Sequence, residues 1–170
     1  MFFYDALYPQ APPTPFDLEP PSIEALYQVH TREMIERVMA SGVFDGALYS
    51  AAGTVGASTR IWNREIDSAF VFTGYGDHHA GRDTFGGGCY LNGAAMAIHK
   101  LRQHFGVKRV AIVDTDAHHG NGTWEIFEDD PDTLYACFCS EDYPEISNNL
   151  NIRVPRPVTV EEYLRLVRES

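Results

Sequence analysis

The chain has 170 residues, a formal net charge of −11, 44% hydrophobic residues and 22% charged residues. That length holds one domain with one sizeable core, and the acidic balance argues against direct nucleic-acid binding, which needs a basic face. No apolar run is long enough to cross a membrane, and the three cysteines Cys89, Cys137 and Cys139 are too few, and odd in number, for a disulfide framework.

The start, MFFYDALYPQ, lacks the basic and apolar regions of a signal peptide, so a cytoplasmic protein is expected. The acidity suits a cationic partner such as a lysine-bearing peptide or a polyamine, or it serves solubility alone.

Residues 1–21 contain PQAPPTPFDLEPP and read as a proline-rich arm; residues 22–170 read as one domain. From Ser22 the spacing is helical through Ile23, Leu26 and Tyr27, with a restart at Thr31 through Met34, Ile35 and Val38, stopped by Gly42. DGALYSAAGTVGAST is rich in small residues and predicts a second, closely packed helix. SAFVFTG (68–74) is a short apolar run bounded by turn residues, which predicts a buried strand. A glycine-rich loop follows, and then Ala94, Ala97, Ile98, Leu101 and Phe105 recur at helical spacing.

RVAIVDTD (109–116) predicts a second buried strand, NGTWEIFED a short helix opened by polar caps, and TLYACFC (133–139) a third strand. Cys137 and Cys139 share one face of that strand, where core packing explains them better than a zinc knuckle. The acidic run at 128–130 reads as a solvated helix end. A last helix starts near Thr159 and aligns Val160, Tyr163, Leu164 and Val167. Strands alternating with helices predict a three-layer α/β domain, with a mostly parallel sheet and helices on both faces.

In such sheets ligands bind beyond the carboxyl ends of the strands. Two of the three predicted strands lead into segments rich in His and Asp, VFTGYGDHHAG and VDTDAHHGNG. Alternation along an extended chain brings Asp114, Asp116 and His118 to one side. Carboxylate oxygen and imidazole nitrogen are suitable zinc donors. Beside them, the doublet His78 and His79 could form histidine–carboxylate dyads for proton transfer. His30, His99 and His104 lie on helical segments and read as surface or satisfied core residues.

DHHAGRDTFGGGCYLNGAA and VAIVDTDAHHGNGTWEIF together resemble the histone deacetylase family, within the arginase/deacetylase superfamily. The resemblance covers roughly residues 22–170. It implies a zinc-dependent hydrolase, using zinc or another divalent ion, that removes an acyl group from an amine such as acetyl-lysine or an acetylated polyamine. It implies Asp116 and His118 as zinc ligands and His79 as the general base. His78 would be its partner, paired with Asp114, while Asn121 orients the other histidine and His119 is structural. The main chain around Asp114, Asp116, His118, Cys137 and Phe138 would hold a monovalent cation such as potassium. Gly87 and Gly88 would line the substrate tunnel, with Gly88 standing where the family usually has an aromatic ring.

The family's third zinc ligand, an aspartate, and its oxyanion-binding tyrosine would lie beyond Ser170. The expectation is therefore a truncated or partial member of the family, with an incomplete sheet and a tendency to self-associate or to need a missing C-terminal segment. The alternative is a catalytically incomplete metal-binding or oligomerising fragment of the same fold.

Overall fold

The structure is a computed structural model, and it describes residues 18–170. The proline-rich arm at 1–21 thus falls mostly outside the described residues. Three helices begin the described chain: α1 (Ile23–Tyr27), α2 (Arg32–Ala40) and the 19-residue α3 (Phe44–Trp62). Ser22 and Thr31 cap α1 and α2 by accepting from the main-chain N–H three residues on. Gly42 ends this run with φ of 79°. Then come α4 (Gly93–Phe105), β1 (Val110–Asp114), α5 (Asn121–Phe127), β2 (Thr133–Cys139), β3 (Asn149–Arg153) and α6 (Val160–Glu169).

The three strands form a parallel sheet in the order β1-β2-β3. Parallel strands need crossover connections, and α5 supplies the one between β1 and β2. Tyr135, Cys137 and Cys139 face Trp124 of α5, while Ala136 and Phe138 face Tyr163 and Leu166 of α6. Both faces of β2 are therefore covered, as the period-2 alternation requires. The main core lies beside the sheet, where Leu26, Met34, Ile35, Val38, Ala51, Met96 and Ile98 join the first four helices.

Five expectations need correction. The segment 68–74 is not a strand among the described residues. Phe70 and Phe72 are 69% and 61% exposed and pack on each other with ring centroids 4.7 Å apart. An apolar run becomes a strand only when a neighbour pairs its N–H and C=O groups; here the run leads into Gly74 and Tyr75, whose N–H groups donate to Ser50 Oγ of α3. The close approach explains a glycine inside α3, since a Cβ on Gly53 would sit 2.9 Å from Val71.

The strand β1 is only half buried, with Val113 61% exposed on the face it shares with Ala136, where α6 packs on β2. No side chain caps α5, which starts from Gly120. In α6 the packed residues are Tyr163 and Leu166, while Val160, Leu164 and Val167 are exposed. The acidic run at 128–130 is also less solvated than expected, because Asp130 pairs with Arg102 and accepts from Thr133 Oγ1.

Candidate active site and metal-ligand pair

Asp114 is the last residue of β1 and stands in register with Cys137 of β2. The chain then turns through 115–120 into α5, beyond the carboxyl end of the sheet. That turn is held by the Ala117 carbonyl, which accepts from Ser140 N–H and Arg156 Nη2. The glycine-rich loop carrying His78 and His79 is bound to the same place. The His78 carbonyl accepts from both Gly122 N–H (2.8 Å) and Thr123 N–H (3.0 Å). This fit explains the glycines of HHGNG. A Cβ on Gly122 would lie 2.4 Å from the Ala80 carbonyl carbon, and one on Gly120 would lie 2.0 Å from Tyr135 Oη.

Two histidine dyads result. His78 Nδ1–H donates to Asp114 Oδ2 at 2.9 Å, and His79 Nδ1–H donates to Asn121 Oδ1 at 2.6 Å. The two rings lie 4.1 Å apart. Asp114 also accepts from Tyr135 Oη at 2.6 Å and from Asp116 N–H at 3.1 Å. Burial alone would raise the Asp114 pKa, but these donors outweigh it and hold the carboxyl below the usual carboxylate range. Reciprocally, the hydrogen bond to Asp114 holds the His78 imidazole above its ordinary value.

Asp116 and His118 form a third pair. Asp116 Oδ1 accepts from His118 N–H at 2.7 Å and from His118 Nδ1–H at 2.8 Å. Their side chains are 50% and 66% exposed. The His118 ring lies 6.2 Å from that of His79. One carboxylate oxygen and one imidazole nitrogen, adjacent and accessible, fit two positions of an open zinc site. Among the described residues no third His, Cys, Asp or Glu closes a metal-binding group with this pair.

The other expected residues cluster nearby. Gly87 has φ of 57°, and a Cβ there would lie 2.4 Å from the His79 ring. A cavity of about 230 Å³ is lined by His79, Thr84, Phe85, Gly86, Gly87 and Asn121. Gly88 has φ of 81° and open space where a Cβ would stand. A larger cavity, about 600 Å³, lies between α3 and residues 65–72, away from all of these groups. Of the residues of the expected monovalent-cation site, Asp114, Cys137 and Phe138 occupy adjoining strand ends, and Asp116 and His118 lie in the turn that follows β1.

Sequence reasoning missed Tyr135, although period-2 alternation puts it on the Cys137 face that meets Asp114. It also missed the buried support beneath the loop. His30 Nδ1–H donates to the Gly81 carbonyl at 2.7 Å, and its Nε2 accepts from Asn92 N–H at 3.0 Å. Asn92 Nδ2 donates to the Ala80 carbonyl and to Thr123 Oγ1, and its Oδ1 caps α4. His30 is thus a satisfied core residue, pushed down to about 4 by burial. Asp77, beside the α4 N-terminus, is pushed up to about 6 by burial.

The sequence model of the histone deacetylase domain matches residues 19–170. The chain belongs to the histone deacetylase domain family. A probable deacetylase of Archaeoglobus fulgidus is 32% identical, with 87% of this chain and 49% of that protein covered. Acetylpolyamine amidohydrolase of Mycoplana ramosa is 39% identical over 59% of this chain and 29% of its own length. The crystal structure of the HDA15 HD domain superposes with a TM-score of 0.72 at 27% identity, covering 82% of this chain and 48% of that one. This member of the family therefore spans about half the length, or less, of these relatives. The parallel sheet with helices on both faces is a partial form of the arginase/deacetylase-like α/β fold.

Proposed function

We propose that this chain carries the proton-transfer half, and two metal ligands, of an amide hydrolase that removes an acyl group from an amine. The observation that carries this reading is the side-by-side placement of His78 and His79, each with its Nδ1–H fixed by a separate acceptor. Fixing Nδ1–H leaves Nε2 of each ring as the reactive nitrogen. His79 faces a neutral amide, so its Nε2 is free to accept a proton from water. The new C–O bond forms as that proton is taken, and the same nitrogen then gives the proton to the departing amine as the C–N bond breaks. His78 keeps its own proton longer, because the Asp114 carboxylate stabilises its charged form.

Asp116 and His118 would hold zinc or another divalent ion, which when bound supplies Lewis acidity toward the carbonyl and toward water. Gly87 and the recess beside His79 would admit the acyl group, with Gly88 at its edge. The strand-end main chain at Asp114, Asp116, His118, Cys137 and Phe138 would take a monovalent cation such as potassium. The acidic chain fits a cationic amine, either a lysine side chain or a polyamine, and the named acetylpolyamine amidohydrolases among its relatives support that class. The free thiols of Cys89, Cys137 and Cys139 fit a cytoplasmic setting. The exposed Phe70 and Phe72 and the open face of β1 favour association with a second copy or a further segment of the fold.

The test is acetate release from an acetyl-lysine peptide and from an acetylated polyamine by the zinc-loaded chain. Activity that is lost in His79→Ala supports the reading. The second reading, a metal-binding or oligomerising domain without turnover, is favoured by the two-ligand metal pair. It predicts no acetate release, but a metal content that falls in Asp116→Ala.

A further inference from the structure

His119 follows His118 in sequence but turns the opposite way, into the interior, where it is 2% exposed. Its ring stacks on Tyr143 with centroids 3.5 Å apart and planes within 5°. Its Nε2 is buried and has no hydrogen-bond partner, an unusual state for a buried imidazole nitrogen. Beside it lie Cys137 and Cys139, both free, both fully buried, and both on the same face of β2. One ring nitrogen of His119 and the two sulfurs all lie within 4.8 Å of one another. The Cys139 sulfur is 3.6 Å from His119 Nδ1.

Bond lengths of about 2.3 Å to sulfur and about 2.0–2.1 Å to nitrogen, at a tetrahedral angle, separate those two atoms by about 3.5 Å. The spacing of Cys139 Sγ from His119 Nδ1 meets that requirement, and the Cys137 sulfur lies within 4.8 Å of both donors. An oxygen for a fourth position is close, because Asn151 Oδ1 accepts from the Cys139 thiol at 3.2 Å. Core packing explains why two cysteines lie inward. It does not explain why a buried histidine sets Nδ1 beside the Cys139 sulfur with the Cys137 sulfur and an amide oxygen close by.

We propose that His119, Cys137 and Cys139 form a structural zinc site, with Asn151 closing the fourth position. The site is separate from the Asp116/His118 pair, which contains no sulfur, and it does not depend on the reading of the active site. Each thiol loses its proton to solvent as its sulfur takes the metal. The bound ion would tie the end of β2 to the turn that carries His118. It would also fix the loop bearing Tyr143, and so serve as a staple beneath the open pair.

Cobalt(II) titration of the full chain tests this, because thiolate–cobalt bonds give a near-ultraviolet charge-transfer band that oxygen and nitrogen donors do not. One equivalent should produce the band in the parent chain, in the Asp116→Ala/His118→Ala variant and in Cys89→Ala. The band should be lost in Cys137→Ser and in Cys139→Ser. Should the buried serines prevent folding, X-ray absorption of the Asp116→Ala/His118→Ala variant with one equivalent of zinc replaces them. The expected result is two sulfur neighbours at about 2.3 Å. No thiolate band in the parent chain, a band that survives both cysteine substitutions, or a zinc shell without sulfur would each overturn the proposal. Those outcomes would leave the three residues as a hydrogen-bonded core cluster.

Discussion

His78 and Asp114 are 17% and 11% exposed at their side chains, whereas Asp116 and His118, two and four residues past Asp114, are 50% and 66% exposed. The same short turn thus builds one pair into the protein and leaves the other on its surface. The buried pair is held from three directions, by Tyr135, by the Asp116 main chain and by the His78 loop clamped to α5. The open pair is held mainly by its own hydrogen bonds. Buried polar groups are costly unless fully partnered, so the first pair has a fixed geometry. The second can exchange its internal hydrogen bond for a ligand at little cost.

The contrast can be broken most severely at Gly122. In Gly122→Ala the new methyl meets the Ala80 and Gly81 main chain, and a loss of about 4 kcal/mol or more is expected, or no folded protein at all. An unchanged denaturation midpoint would show that the loop is not clamped as described. Next comes Asp114→Asn, which removes the charge under His78. Any acyl-hydrolase activity should fall by about 10²–10⁴-fold, and the His78 imidazole should titrate lower by NMR. An unmoved His78 titration would separate the two residues.

The buried support gives a pH signature. Asp77 holds its proton more tightly when folded, so its burial penalty is absent below its unfolded value of 3.8 and is fully imposed as pH rises past about 6. His30 runs the other way. Its folded value is depressed to about 4, so its contribution is complete above 6.5 and is lost as pH falls toward 4. Between these limits the two slopes oppose. Asp77→Asn should therefore raise stability at neutral pH, by up to about 3 kcal/mol. It should also make stability fall more steeply than in the parent chain as pH drops from 6 to 4. Denaturant titrations across that window decide it, and parallel curves would refute the assignment.

The smallest expected effect sharpens the comparison from the open side. Asp116→Ala should change folding stability by no more than about 0.5 kcal/mol without metal, while removing metal binding at that pair. A large loss of stability would mean that the open pair is structural after all.

Much of this was legible in the sequence because local rules and tertiary structure agree. Ser22 and Thr31 cap where their side chains predict, and β2 alternates its two faces as period 2 requires. The two His/Asp segments do meet beyond the carboxyl end of β1, although only VDTDAHHGNG follows a strand and the His78 loop is brought there by its bonds to α5. The illegible parts depended on neighbours. Residues 68–74 have the composition of a strand, yet among the described residues no strand runs beside them. The α6 pattern aligned Val160, Tyr163, Leu164 and Val167, but packing against Phe138 took Tyr163 with Leu166 and left the other three exposed. Tyr135 looked like one more apolar residue of β2 until the register put its hydroxyl on Asp114. His30 was read as bland and is so, although it supports the loop that carries His78 and His79.

The double acceptance by the His78 carbonyl has a consequence in the time domain. One oxygen takes the N–H groups of both Gly122 and Thr123, so the loop cannot lift without freeing both of these N–H groups at the start of α5. Loop opening and the release of both N–H groups are then a single event with a single free energy. Amide exchange at Gly122 and Thr123 should proceed at matched rates, and those two protons become clocks for how often the histidine loop leaves its seat.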